Sequence, residues 1–193
     1  MRHPCLPGLL ALCTLIAGCF DNNSNTTLPE SGLQTISSAG LQRSYYLDLP
    51  SDYDPDAAPR PLIIGYHGTG GSHQAWLDDY RLREVVGDGA ILVYPDALPN
   101  AANINQWDFA NDFQMFEDLL ERLPAQLNFD ASRIFITGHS SGGGFAHELG
   151  CRYGDRIRGI APVAGSLTAT SCIGAVAVLQ IQGQYDPLVP IGV

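Results

Sequence analysis

The segment "RIFITGHSSGGG", Arg133 to Gly144, ends a run of β-forming residues with serines set among glycines. Gly138, His139, Ser140, Ser141 and Gly142 fit the pattern G-x-S-x-G, in which a sharp strand-to-helix turn presents the first serine hydroxyl for attack on a carbonyl. A serine hydroxyl is a weak nucleophile, so that chemistry also needs a base to take its proton, an acid to orient the base, and amides to hold the oxyanion. One amide belongs to the residue after the nucleophile, here Ser141. Asp186 in "GQYDPLVP" stands just past an apolar run and after Ser140, which suits the chain order serine, acid, histidine. Two plainer readings stay open: an idle serine in a glycine-rich turn, and an Asp-Pro pair that merely opens a turn.

Such an elbow needs a buried strand before it and a helix after it. "RSYYLDLP", "RPLIIGYHG", "AILVYPDA", "RIFITG", "IRGIAPVAG" and "AVAVLQIQG" read as strands from their short apolar runs and turn-forming ends. "HQAWLDDYRLREVVGDG" is helical in composition and stops at Gly87 to Gly89. In "NDFQMFEDLLERLPAQLN" the apolar residues Phe113, Phe116, Leu119, Leu120, Leu123 and Leu127 fall at helical spacing, with Pro124 expected to kink or end the helix. "SGGGFAHELGCRYG" reads as the helix after the elbow. Apolar strands alternating with helices predict an α/β fold with a mostly parallel sheet covered on both faces, over residues 37–193.

Six blocks, "YHGTGGS", "VYPDAL", "QWDF", "FITGHSSGGGFAHELGCRY", "IAPVAGSL" and "LQIQGQYDPLVP", occur in that order. Together they resemble the secreted α/β-hydrolase esterases of the polyhydroxybutyrate depolymerase and feruloyl esterase type over about residues 40 to 190. The resemblance implies hydrolysis of carboxylic esters through an acyl-enzyme on Ser140, with Asp186 as the triad acid and no metal or organic cofactor. It also implies the amide of Thr69 as the second oxyanion donor, with His67 and Gly68 shaping that loop; a plain glycine turn is the alternative. Trp107 and Trp76 are candidates for the cleft wall, although buried aromatics are more often core. Hydroxyalkanoate polyesters, acylated plant polysaccharide and small soluble esters all remain open as substrates. A serine peptidase on the same fold is a further alternative.

In this fold the catalytic histidine should follow the acid, and none follows Asp186 in the sequence. His147 lies about 10 Å up the following helix at 1.5 Å per residue, and the side chain of His139 should diverge from that of its neighbour Ser140. His67, near the oxyanion loop, is the best of the remaining candidates, ahead of His73. The reading preferred here is a chain broken before its last strand, last helix and histidine, and therefore nearly inactive. Its rival is a non-catalytic, membrane-tethered lipoprotein that keeps the hydrolase fold.

The N-terminus reads as an address. Arg2 and His3 precede "CLPGLLALCTLIAGC", too short for a membrane-spanning helix and suited to a secretory signal. "LIAGC" resembles a bacterial lipobox, which predicts a signal over residues 1–18, lipidation of Cys19 and a polar tether over 19–36; an ordinary secretory signal is the alternative. Export to the periplasm or cell surface, or otherwise to the medium, leaves Cys151 and Cys172 in the domain, and two cysteines in an oxidising compartment suggest one disulfide, against two buried thiols. Twenty acidic residues against ten arginines, with no lysine, give a net charge of -10. That charge leaves no basic face for nucleic acid, and the missing amine excludes Schiff-base, Ser-Lys and Walker-lysine chemistry. The expected partners are an ester substrate and, through Cys19, a membrane.

Overall fold

The computed structural model describes residues 29–191. The expected signal, the lipidation site Cys19 and most of the tether lie outside the described residues. Seven strands form one sheet in the order β1-β2-β4-β3-β5-β6-β7. They are β1 (Gly32–Ser38), β2 (Leu41–Asp48), β3 (Arg60–Tyr66), β4 (Ile91–Pro95), β5 (Phe129–His139), β6 (Gly159–Val163) and β7 (Ala177–Val178). β1, β2 and β4 pair antiparallel in sequence, and every pairing from β4 through β3, β5 and β6 to β7 is parallel.

The strand β1 corrects the expected tether, which was to run to residue 36. Along Gly32–Ser38 only Ile36 is an apolar residue turned into the core, so the segment carries almost no alternation of apolar and polar residues to read. Backbone pairing with β2 through the Ala39–Gly40 turn decides it, and a polar sequence suits an edge strand. β7 is a correction of the opposite kind: the apolar run from 175 to 183 keeps two ladder residues and one further bridge, Val163 to Ile181.

The expected single helix over 73–89 is two, α1 (Gln74–Asp78) and α2 (Leu82–Val86). Arg81 between them sits at φ 49°, a left-handed conformation that no right-handed helix can run through. α3 (Phe113–Arg122) ends before Pro124, as expected, and α4 (Ser141–Arg152) follows β5 directly.

Strand alternation sorts the core into two layers. Leu62, Ile64 and Tyr66 of β3, with Ile91, Val93, Ile134 and Ile136, pack against Phe116 and Leu119 of α3 and Phe145 and Leu149 of α4. Ile63, Leu92 and Tyr94 point the other way, against Trp76 of α1 and Leu82 and Val86 of α2. Each large side chain so buried contributes roughly 1.5–3 kcal/mol. Two contacts fix the α3/α4 layer. Arg43 of β2 pairs at 2.6 Å with Asp112 at the start of α3, and a disulfide joins Cys151 of α4 to Cys172 in the loop before β7. The disulfide bears out the cysteine reading.

Candidate active site

Parallel strands bring the candidate residues to one end of the sheet, where their loops diverge. The ladder sets Tyr66 beside Gly138, His139 beside Val163, and Val163 beside Ile181. The chain leaves these strand ends at His67, Ser140, Ala164 and Gln182, so the turn 67–71, the serine elbow and the loop holding Asp186 all rise from the same edge. Open α/β sheets place their sites at this carboxyl edge.

Ser140 adopts φ 55° and ψ -119°, a conformation L-residues rarely take. Neighbouring bonds enforce it: its amide donates to Val163 O at 2.9 Å, and its carbonyl accepts from Gly144 N at 2.9 Å. The glycines around it permit the sharp bend. A Cβ on Gly138 would lie 2.1 Å from Gly142 O, and one on Gly142 would lie 2.1 Å from Tyr66 O, so both positions exclude any side chain. Ser141 opens α4, where the first amides of a helix have no intrahelical acceptor and carry the positive end of the helix dipole. Its own hydroxyl is buried without a partner among the described residues.

The turn bearing Thr69 is braced from below. Gly70 N donates to Asn105 O at 2.7 Å, Asn105 Nδ2 to Gly71 O at 2.9 Å, and the Trp107 indole N–H to His67 O at 2.7 Å. The Thr69 amide itself makes no backbone hydrogen bond among the described residues. Asp186 Oδ1 accepts from Leu188 N and Val189 N, and Oδ2 accepts from Gln182 Nε2. The amides of Val189 and Leu188 hold its carboxyl below the ordinary range, with help from Gln182 and from the nearby His139, so it is a carboxylate at neutral pH.

Several expected cleft residues are core instead. Trp107 is buried, stacked on Phe145 and edge-on to Tyr66. Trp76 packs flat on Tyr94, over Gly65, where a Cβ would come within 2.8 Å of its ring. His67 has no exposed surface. Its Nδ1–H donates to Gly68 O at 2.7 Å and its Nε2 accepts from Ala97 N at 3.0 Å, so both nitrogens are occupied. Burial pushes its pKa down, which keeps the ring neutral. His67 is therefore a brace for the turn and neither lines a cleft nor can serve as the base.

The other histidines are engaged elsewhere. His73 bonds to Asp96, which also accepts from Ser44, and His147 bonds to Gln180. His139 Nδ1 lies 2.9 Å from the hydroxyl of Tyr80. No imidazole among the described residues bonds to the Ser140 hydroxyl or to the Asp186 carboxylate. Tyr80 and Glu148 were not read from the sequence. The buried Glu148 carboxylate accepts from Thr168 N, Thr168 Oγ1 and Ala169 N, pinning the loop after β6; a lone acid among the apolar residues of "FAHELG" was the available signal. Tyr80, in the corner between two short helices, had none.

Among solved structures the chain superposes on a thermostable esterase with a TM-score of 0.64 at 20% identity, covering 83% of this chain and 48% of that one. It also superposes on a ferulic acid esterase with a TM-score of 0.60 at 20% identity, covering 70% and 58%. The chain has the α/β-hydrolase fold. Within that fold its sequence is similar to esterases. Probable feruloyl esterase C of Aspergillus terreus is 31% identical over 173 residues, 83% of this chain and 60% of that protein. Feruloyl esterase D of Neurospora crassa is 29% identical over 160 residues, 77% of this chain and 53% of that protein. The chain thus spans little more than half the length of these relatives. No family model matches it. Among the described residues of the α/β-hydrolase domain, no helix is long and apolar enough to cross a membrane.

Proposed function

We propose that Ser140 is the nucleophile of a carboxylic ester hydrolase. The observation that carries this is its strained backbone at the carboxyl edge of the parallel sheet, held by bonds to Val163 and Gly144. Strain of this kind persists where the surroundings over-determine it, and here it lifts one hydroxyl clear of the chain. Ser140 attacks the ester carbonyl, and the amides of Ser141 and Thr69 take the oxyanion. Asp186 orients an imidazole that accepts the serine proton and passes it to the leaving alcohol; water then clears the acyl-enzyme by the same route. That imidazole is not among the described residues. The names of the relatives favour a phenolic acyl group such as feruloyl. For the N-terminus, the pattern "LIAGC" supports export with a lipid anchor at Cys19, and hence a membrane-tethered esterase.

One observation favours a non-catalytic reading: His67, His73, His139 and His147 each bond elsewhere. A serine hydrolase without its histidine loses about 10^6 in kcat. Labelling with a fluorophosphonate, with and without exogenous imidazole, separates the two. The esterase reading expects Ser140 to be labelled, with imidazole accelerating both labelling and p-nitrophenyl butyrate turnover beyond the protein-free imidazole rate, and expects Ser140→Ala to remove the labelling and that excess turnover. Folded protein that stays unlabelled under both conditions would leave the non-catalytic reading standing.

A further inference from the structure

The described residues hold one polar contact at the elbow that the proposed mechanism does not use. The Tyr80 hydroxyl and His139 Nδ1 lie 2.9 Å apart, and His139 is the residue immediately before Ser140. Tyr80 comes from the corner between α1 and α2, far from the elbow in sequence. Its ring meets Trp76 edge-on at 4.8 Å, and Trp76 lies flat on Tyr94, so the phenol is fixed from behind by the sheet. The oxyanion turn converges on the same point. A Cβ placed on Gly68 would sit 3.3 Å from His139 Nδ1 and 3.4 Å from Ser140 Cβ, so the turn faces the imidazole and the nucleophile across a gap that a single methyl would fill. Burial, then the neighbouring Asp79, pushes the Tyr80 hydroxyl up, which keeps it a protonated donor.

We propose that Tyr80 and His139 are a positioning pair: the Tyr80 hydroxyl donates to His139 Nδ1 and holds the imidazole as a prop between the Gly68–Thr69 turn and the Ser140 elbow. The oxyanion amides come from two separate loops, and their spacing decides how well they meet the developing charge. A misplacement of about 1 Å at such a site costs up to about 100-fold in rate, so one surface hydroxyl acting through the ring has a measurable effect. With Nδ1 accepting, the ring carries its proton on Nε2. The pair does not touch the reacting atoms. This inference rests on the esterase reading for its kinetic consequence and not for its structural one.

The test is therefore double. Long-range proton-nitrogen correlation spectra at alkaline pH should show wild-type His139 as a single Nε2–H tautomer and the Tyr80→Phe variant as a mixture. In p-nitrophenyl butyrate turnover with imidazole present, Tyr80→Phe and His139→Ala should each lower kcat about tenfold with KM unchanged. The double variant should be no worse than either single one, because the two residues act as a unit. His139→Asn, whose Oδ1 stands near the place of Nδ1, should recover most of the rate. The pair is overturned by a mixed tautomer in the wild type, by additive losses, or by a rise in KM with kcat intact, which would mean direct substrate contact. If the wild type shows neither Ser140 labelling nor turnover above the protein-free imidazole rate, the esterase reading fails, and the tautomer experiment still decides the pair.

Discussion

Residues at this site do different work from what their types alone suggest, and His67 is the clearest case. Both its nitrogens are bonded inside the protein and burial disfavours its charged form. The unfolded chain protonates this imidazole near the ordinary value of 6.5, whereas the folded chain does so only at lower pH. The unfolded state therefore binds more protons below 6.5. Stability is unaffected by this group above that value and falls as pH drops toward the folded-state pKa. Urea midpoints should decline on acidification below 6.5, and His67→Gln should flatten that part of the curve while lowering stability throughout. A pH-independent difference between the two proteins would contradict the assignment. At the elbow, Gly142→Ala should cost several kcal/mol or prevent folding, because its Cβ would overlap Tyr66 O; thermal melts measure this directly. The strained turn at Ser140 was readable because "GHSSG" imposes a backbone shape, and the place of Asp186 at the same sheet edge because it follows an apolar run. The brace formed by His67, Asn105 and Trp107 was not, since its bonds join residues 34 to 40 positions apart through backbone carbonyls that carry no sequence signature.

The elements show the same division between local and long-range causes. β3, β4, β5 and α4 follow from apolar runs bounded by glycine, and α3 from its helical spacing and Pro124. α1 and α2 were merged because nothing in "DDYRL" announces a positive φ, and β1 was missed because its stability comes from pairing with β2. The break at Arg81 has a stability consequence. A left-handed conformation costs a non-glycine residue roughly 1 kcal/mol, so Arg81→Gly should raise the melting temperature slightly despite losing the exposed ion pair with Glu84, which is worth little. A drop of several degrees would show that the pair matters more than the backbone. The Arg43–Asp112 pair should behave in the opposite way. Both partners are buried, so Asp112→Ala leaves an uncompensated guanidinium in the core between β2 and α3 and should cost about 3–5 kcal/mol in chemical denaturation.

Across the whole molecule the two faces of the sheet are covered unequally. α3 and α4 lie over one face. On the other, α1 and α2 have five residues each and sit by β3 and β4, leaving the far strands thinly covered among the described residues. A groove of about 420 Å³ results, with Ile63, Leu82, Phe135, Ile160, Val178 and Leu179 among its walls. Val178 and Leu179 are 54% and 63% exposed, although a ladder strand buried on both faces would hide such residues. Contiguous apolar surface of this kind binds hydrophobic dyes and favours association. The net charge of -10 opposes association through repulsion, which salt screens. The protein should therefore enhance anilinonaphthalene sulfonate fluorescence while keeping near-UV circular dichroism, which separates a native apolar face from a molten globule. Added salt should promote self-association in light scattering. Leu179→Lys should reduce both effects without altering the melt by more than about 1 kcal/mol, because the side chain it replaces is already largely in water. Dye binding that survives this substitution unchanged would place the apolar surface elsewhere and leave the groove closed in solution.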